Sequence, residues 1–386
     1  MKKNMLFLCA AAGLLGLFSC SKNPAEAPAG PVPTCPLTIT IGPEGATKSA
    51  YSERKDYQIS SVQVFVFDSD NKMETDYYTT VTPVNNAVSV DIATFTGDKT
   101  VYAVVNSPRI NLWKDQSLAT FEGRMSDLSE NSATQLVMVG KNQITVQEYD
   151  KNKNANASAQ TLQIFVKRLA AMVVLDKVTV DFTGTALEGA TISIKEVYLK
   201  NVVGKCHLGL TGLTNSAKSA VVPKALTENE HGNVTNWYNV ITKQATGAPE
   251  VTVDSQEVPL PNVSGGTAND VYRCLFAYPN KTTTELDSHD AYTASNPASF
   301  KVRKTRLVIK AMVSKSPVIP DPGTYTYYVF DLPVLESNRV YHVGSVRITM
   351  LGKDNDNADD DLQAGKLHPA ITVDDWTDTA ALEYEF

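Results

Sequence analysis

Residue types able to do chemistry are spread thinly along these 386 residues. The histidines, His207, His231, His289, His342 and His368, stand in five unrelated surroundings. None forms an HExxH metal pair, and none accompanies a GxSxG nucleophile turn. Gly42-Pro-Glu-Gly-Ala-Thr-Lys48-Ser49 comes close to a phosphate-binding loop, but Thr47 replaces its second glycine. No helical pattern follows, and such a loop holds phosphate at a helix N-terminus. Asp354–Asp361, DNDNADDD, carries oxygen ligands of the kind Ca²⁺ takes. It lacks the glycine and closing glutamate of an EF-hand and reads as a solvated turn. The chain is therefore expected to be no enzyme, with no metal site and no cofactor.

The cysteines point to export. Lys2 and Lys3 precede a short apolar run, Met5–Leu17, which is too short to span a bilayer and reads as a secretory signal. The run ends in Leu17-Phe18-Ser19-Cys20, which looks like a bacterial lipobox. In signals of that kind the peptide is cut before the cysteine and the thiol is acylated. Several chains, at ~0.8 kcal/mol per buried CH₂, make a stable anchor. Cys20 is thus the expected lipidation site, and Ser21 after it resembles lipoproteins sent to an outer membrane. Cys9 leaves with the signal, and Cys35, Cys206 and Cys274 show no CxxC spacing. A Cys206–Cys274 disulfide and two buried free thiols are both open readings.

The elements that would position any site are strands. Lys and Arg number 35 against 42 Asp and Glu, so no basic stripe for nucleic acid is expected. Ser21–Pro36 is a Pro/Ala-rich tether. Leu37, Ile39 and Ile41 alternate with Thr38 and Thr40, which is the pattern of a half-buried strand. Gly42–Asp56 is polar, carries Lys48, Arg54 and Lys55, and reads as an exposed loop. Strands are expected at Ile59–Asp68, Val81–Ile92, Lys99–Val105, Gln135–Val139, Gln143–Val146 and within Gln163–Val180. Others follow at Thr191–Asn201, Val271–Ala277, Thr305–Val313, Tyr325–Phe330 and Val340–Leu351. One helix is expected over Trp113–Leu128, where Leu118, Phe121, Met125 and Leu128 recur at helical spacing. Short strands separated by turns favour β-sandwiches over βαβ units. The expected organisation is a signal (1–20), the tether (21–36) and two sandwich domains, 37–168 and 169–386. In the tail, Leu382, Tyr384 and Phe386 alternate with Glu383 and Glu385. That pattern fits either a last internal strand or a strand donated to another subunit.

In order along the chain, several stretches resemble the Bacteroidales fimbrillins, the major subunits of type V pili. They are the Cys20 signal, the Leu37–Ile41 strand, the basic loop at Lys48-Ser49 and Phe165-Val-Lys-Arg168-Leu-Ala-Ala171. Tyr278-Pro279-Asn280, Glu336-Ser-Asn338-Arg-Val-Tyr341, the Val346–Gly352 run and Trp376 with its tail continue the series. Ser337 and Lys48 depart from the pattern, since the family has arginine at both places. The resemblance implies an all-β protein of two transthyretin-like Greek-key sandwiches. It further implies a lipoprotein precursor whose first strand, with Leu37, Ile39 and Ile41, is removed by a trypsin-like or Arg/Lys-specific surface protease. Cleavage is expected at Lys48-Ser49, with Arg54 and Lys55 as alternatives. The donor strand of the next subunit, Leu382, Tyr384 and Phe386, would then fill the gap and build an adhesive fimbrium. The expected partners are other copies, related fimbrial subunits and, before maturation, the outer membrane.

A different class of reading is a monomeric surface lipoprotein that binds a glycan through exposed aromatics, with Tyr77-Tyr78 or Tyr325, Tyr327 and Tyr328 as candidates. Within the fimbrial class, a tip or anchor subunit is the alternative to a stalk subunit.

Overall fold

The structure, a computed structural model, describes residues 35–43, 58–84, 87–131, 135–148, 160–212, 222–231, 233–239, 243–244, 263–264, 268–282, 303–314, 318–319, 323–354 and 371–375. These residues are almost entirely strand, as the composition predicts, with helix confined to short turns.

The first part of the chain contains β1 (Cys35–Pro43), β2 (Ile59–Phe67), β3 (Met73–Val84), β4 (Val88–Thr94), β5 (Gly97–Val105), the short β6 (Met125–Asp127), β7 (Met138–Val146) and β8 (Gln160–Arg168). All but β6 hydrogen-bond in one sheet of order β3-β2-β5-β7-β8-β1-β4. The β7–β8 contact is only Met138↔Arg168 and Val139↔Lys167. Side chains from strands on both sides of this seam share one core. Gly140 permits the crossing, because a Cβ there would lie 2.2 Å from the Phe165 carbonyl oxygen. The core gathers Leu37, Ile39 and Ile41 of β1, Val62, Val64 and Val66 of β2, and Leu162, Ile164 and Val166 of β8. The other face of β2 sends Phe65 and Phe67 into a second, larger core. Burial on both faces is why ISSVQVFVF reads as a near-continuous apolar run.

The chain leaves the first sheet at Arg168 and resumes as β9 (Ala171–Val180), followed by β10 (Thr191–Lys200). A series of short strands follows: β11 (Val202–Val203), β12 (Lys205–His207), β13 (Leu210–Thr211), β14 (Val222–Pro223), β15 (Trp237–Asn239), β16 (Lys243–Gln244) and β17 (Val263–Ser264). The long strands are β18 (Ala268–Ala277), β19 (Arg306–Ser314), β20 (Thr324–Asp331), β21 (Arg339–Ile348) and finally β22 (Ile371–Asp375). They form two four-stranded sheets, β18-β9-β21-β22 and β17-β10-β19-β20. The larger core collects Val173 and Leu175 of β9, Leu307 and Ile309 of β19, and Val343 and Ile348 of β21. Because Phe65 and Tyr102 belong to it too, this core bridges both parts of the chain. The antiparallel pairing of β6 with β12 adds a backbone link between them.

Several expected elements differ in extent. The helix covers only Leu118–Glu122, with Ser117 as N-cap and Gly123 ending it. Phe121 still anchors it, with ring centroids 4.9 Å from Phe65 and 4.8 Å from Tyr102. Met125 lies in β6 instead, where pairing with β12 outweighs helical spacing. The single strand expected at Val81–Ile92 is the end of β3 and the start of β4, and the two pieces expected at Gln135–Val146 are one strand, β7.

Candidate functional site

The chemistry of this fold is concentrated in how β1 is held. It lies between β8, to which it runs parallel from Leu37↔Gln160 to Pro43↔Val166, and β4, to which it runs antiparallel from Cys35↔Thr94 to Ile41↔Val88. Both its backbone edges are in use. Leu37, Ile39 and Ile41 are fully buried on the inner face. Burying three such side chains contributes roughly 5–9 kcal/mol before entropy is counted. On the outer face, the Thr38 hydroxyl donates to Asp91 at 2.6 Å, and Thr40 lies 3.1 Å from Ser89. Gly42 lets the end of the strand approach the residue before β4, since a Cβ there would come within 3.2 Å of Ala87 Cβ.

A buried ion pair holds the β4 side of this slot. The Glu74 carboxylate, on β3, accepts from Lys99 Nζ at 2.6 Å, from the Phe95 backbone N–H at 2.8 Å and from the Thr94 hydroxyl. The Lys99 and Glu74 side chains are 4% and 6% exposed, so each charge depends on the other for solvation. The pair ties the edge strand β3 to the end of β4 and so fixes one wall of the slot.

Taking β1 away would leave β8 and β4 with unpaired backbone edges and the core with three empty apolar positions. A strand with the same apolar/polar alternation can satisfy both needs by β-augmentation. This geometry asks for no particular side-chain chemistry from the strand that fills it.

Of the other residues singled out in the sequence, Cys20, Lys48, Ser49, Arg54, Lys55, Leu382, Tyr384 and Phe386 lie outside the described residues, as does most of Asp354–Asp361. Cys206 is a free thiol, buried in β12, and burial pushes its pKa up to about 12. It stands as the free-thiol alternative rather than as half of a bridge; Cys274 lies in β18. Cys35, in β1, is free and buried too. His207 Nε2 lies 3.0 Å from Glu230 Oε2, which also accepts from the Thr227 N–H and hydroxyl. Among the described residues no three His, Cys, Asp or Glu side chains gather as a metal would require.

The resemblance motifs turn out to be structural ties. Tyr278 is buried, with its hydroxyl 2.7 Å from Ser126 Oγ, and it accepts from Asn131 Nδ2 at 2.9 Å. Asn280 Nδ2 donates to the Arg303 carbonyl at 2.8 Å. The Tyr341 hydroxyl donates to the Val334 carbonyl at 2.9 Å and accepts from Glu336 N–H at 2.7 Å. Tyr328 is wholly buried, Tyr325 is exposed, and Lys310 Nζ lies 5.1 Å from the Tyr325 ring centroid. Sequence reading missed Glu74, which braces the end of β4, and Ser89 and Asp91, which face β1 across 49 and 53 residues of chain. The polar positions in the alternation of Val88–Thr94 are the signal that marks Ser89 and Asp91.

Three comparisons bear on this geometry. Residues 36–193 match the family model described as major fimbrial subunit protein (FimA). Among solved structures, a candidate cell adhesion protein of Parabacteroides distasonis aligns with TM-score 0.58 and 15% identity, over 90% of this chain and 100% of that one. A fimbrilin (FimA) of Porphyromonas gingivalis aligns with TM-score 0.53 and 16% identity, over 88% of this chain and 97% of that one. A candidate cell adhesion protein of Bacteroides eggerthii gives TM-score 0.53 and 17% identity, over 90% and 97%. At these identities the likeness is one of fold. No curated protein sequence matches the chain.

Proposed function

We propose that this chain, whose residues 36–193 match the family model of FimA major fimbrial subunit proteins, is exported as a lipid-anchored precursor and polymerises by exchanging β1 for the tail of another copy. The observation that carries this reading is the position of β1. It is bonded along both edges and buried on one face, and in the sequence it is followed by a polar segment carrying Lys48, Arg54 and Lys55. The family is one of structural subunits, and the fibre it builds serves adhesion at the cell surface.

In this reading Cys20 carries the lipid and Ser21–Pro36 spans from the membrane to the first of two sandwich units, 37–168 and 169–386. While the loop is intact, β1 is tethered to its slot at a high effective concentration, and no competing strand can displace it. Cleavage at Lys48-Ser49, or at Arg54 or Lys55, severs that tether. β1 then dissociates as a separate peptide, and Leu382, Tyr384 and Phe386 of another subunit take the three apolar positions. Tyr and Phe bring larger apolar surfaces than the Leu and Ile they replace, which favours the exchanged state.

Limited trypsin treatment of the purified precursor tests the proposal. SDS-resistant ladders should appear only after cutting, together with release of the fragment containing Leu37–Ile41. Tyr384→Asp should leave the subunit folded and cleavable yet unable to form ladders, because the slot offers its charge no partner. Ladders from uncut protein, or undiminished ladders from Tyr384→Asp, would overturn it.

A further inference from the structure

Apart from the slot, one surface is built as though to meet a ligand. It is the segment Ser107–Gln116, between β5 and the helix. Its backbone is pinned along its length. Asn106, at φ 59°, accepts from Ser60 N–H through its side chain and donates to the Gln58 carbonyl. Gln63, buried, clamps Ile110 from both sides, donating to its carbonyl at 2.7 Å and accepting its N–H at 2.9 Å. Arg124 Nη2 donates to the Asn111 carbonyl at 3.0 Å. Asp115, at φ 67°, donates its N–H to the Met73 carbonyl at 2.9 Å and closes the turn. Ile110 and Leu112 point into the core.

The residues alternating with them, Arg109, Asn111 and Trp113, are exposed. Trp113 is 73% exposed, the highest value among the large hydrophobic residues described. The Arg109 guanidinium carbon lies 5.6 Å from the Tyr78 ring centroid. Neither Arg109 nor Lys114 has an acidic partner among the described residues. A pinned backbone thus displays an indole, an amide and two cations without an acidic partner among the described residues, on a chain whose net charge is −7. Folding gains nothing from a tryptophan left in water, whereas Trp and Arg on a preorganised surface are the residues that dominate binding energies.

We propose that this ledge binds a carboxylated oligosaccharide. The indole face offers a stacking surface for the apolar face of a sugar ring, as aromatic faces do in general. Arg109 can take a carboxylate through two parallel N–H donors, and Asn111 both donates to and accepts from hydroxyls. Charge density argues against nucleic acid, which presents a phosphate at every nucleotide and selects a basic stripe. Two cations on an acidic chain suit a sparsely carboxylated sugar polymer instead.

The full-length chain in detergent is titrated with a hyaluronan hexasaccharide and, separately, with the neutral hexamer of N-acetylglucosamine, following the heat of binding by calorimetry. Saturable binding of the carboxylated sugar is expected, weakened roughly tenfold or more by Trp113→Ala. Trp113→Phe should retain part of it. Arg109→Gln should erase the preference for the carboxylated over the neutral sugar. Both alanine and glutamine variants should keep the melting temperature and the trypsin-dependent ladder. No saturable binding, or binding unchanged by Trp113→Ala, overturns the proposal. So does loss of ladders in Trp113→Ala with binding retained, which would make the ledge a contact between subunits.

Discussion

β1 and β21 occupy matching places in two sheets. Each lies between a parallel neighbour and an antiparallel one: β1 between β8 and β4, β21 between β9 and β22. Each buries a row of aliphatic side chains. What differs is the polar fastening. β21 is cross-tied by Tyr341 to Val334 and Glu336, by Arg347 to Asp181, and through Asn338, whose N–H donates to the Ala170 carbonyl at 3.0 Å. Asn338, at φ 56°, also accepts from Arg168. These ties need those residues at those positions. β1 is held by backbone pairing, by aliphatic packing and by two threonine hydroxyls on the open face. Such a hold is strong in sum yet generic, and any strand with the right alternation can reproduce it. Burial alone therefore does not distinguish the two strands; specific polar ties do, and under the proposed exchange they mark the strand that stays.

The largest expected effect tests replaceability itself. Trimming the loop and removing β1 should destabilise the isolated subunit by roughly 5–9 kcal/mol, the apolar burial that β1 supplies. A synthetic peptide of residues 376–386, added in trans, should restore most of the melting temperature. A peptide of residues 339–348 should neither bind nor exchange into the intact chain. Incorporation of the β21 peptide at a rate near that of the tail peptide would erase the distinction.

Next in size is a matched pair of truncations. Ile39 and Ile348 are both fully buried, and replacing either by alanine should cost the precursor about 2–5 kcal/mol in denaturant unfolding. After assembly the two should part. In the proposed fibre β1 has been discarded, so Ile39→Ala should leave its dissociation temperature unchanged, while Ile348→Ala lowers it. An Ile39→Ala penalty that persists in the fibre would mean that β1 stays.

The contrast between β1 and its surroundings also separates what the sequence reveals from what it conceals. β1 is legible because one face is buried and the other solvated, which prints a period of two on Leu37–Ile41. β2 is legible for the opposite reason, since both of its faces meet a core. The start of β3 is not: METDYYTT lies at a sheet edge and carries few apolar side chains to betray it. Leu118, Phe121, Met125 and Leu128 mimic a long helix because all four positions pack inward or partly inward, although Gly123 ends the helix after five residues. The outer partners of β1 are hidden for a topological reason. Asp91 is 53 residues from Thr38, and nothing local announces that pairing.

Tyr341→Phe should have a smaller effect, about 1–2 kcal/mol, mainly from leaving the Val334 carbonyl without its donor. Burial pushes the Tyr341 phenol up to about 12, so no change in this effect is expected between pH 6 and pH 9. The loss should be equal in precursor and fibre, since β21 belongs to both. A loss confined to the precursor would place β21, rather than β1, among the parts that exchange.

The smallest effect should be the most informative about the incoming strand. Asp91 accepts the Thr38 hydroxyl on the exposed face, and Ser89 faces Thr40. When the tail replaces β1 with its three apolar residues inward, Glu383 and Glu385 come to the two outer positions that the threonines leave. One glutamate then stands opposite or diagonal to Asp91, and like charges across a strand pair are unfavourable by roughly 0.2–1 kcal/mol. Asp91→Asn should therefore act in opposite directions on the two states. In the precursor it weakens an exposed hydrogen bond and lowers stability by a few tenths of a kcal/mol. In the trimmed subunit it removes a repulsion, so tail-peptide affinity should rise about two- to fivefold at low salt. Raising the ionic strength should shrink that gain, because exposed charges are screened. Glu383→Thr and Glu385→Thr peptides locate the register: the one whose affinity no longer responds to Asp91→Asn is the one that faces Asp91. If neither peptide binds the trimmed subunit, the exchange itself is refuted. If both bind and Asp91→Asn changes nothing, the tail enters with its glutamates away from β4, and the β8 side of the slot sets the register instead.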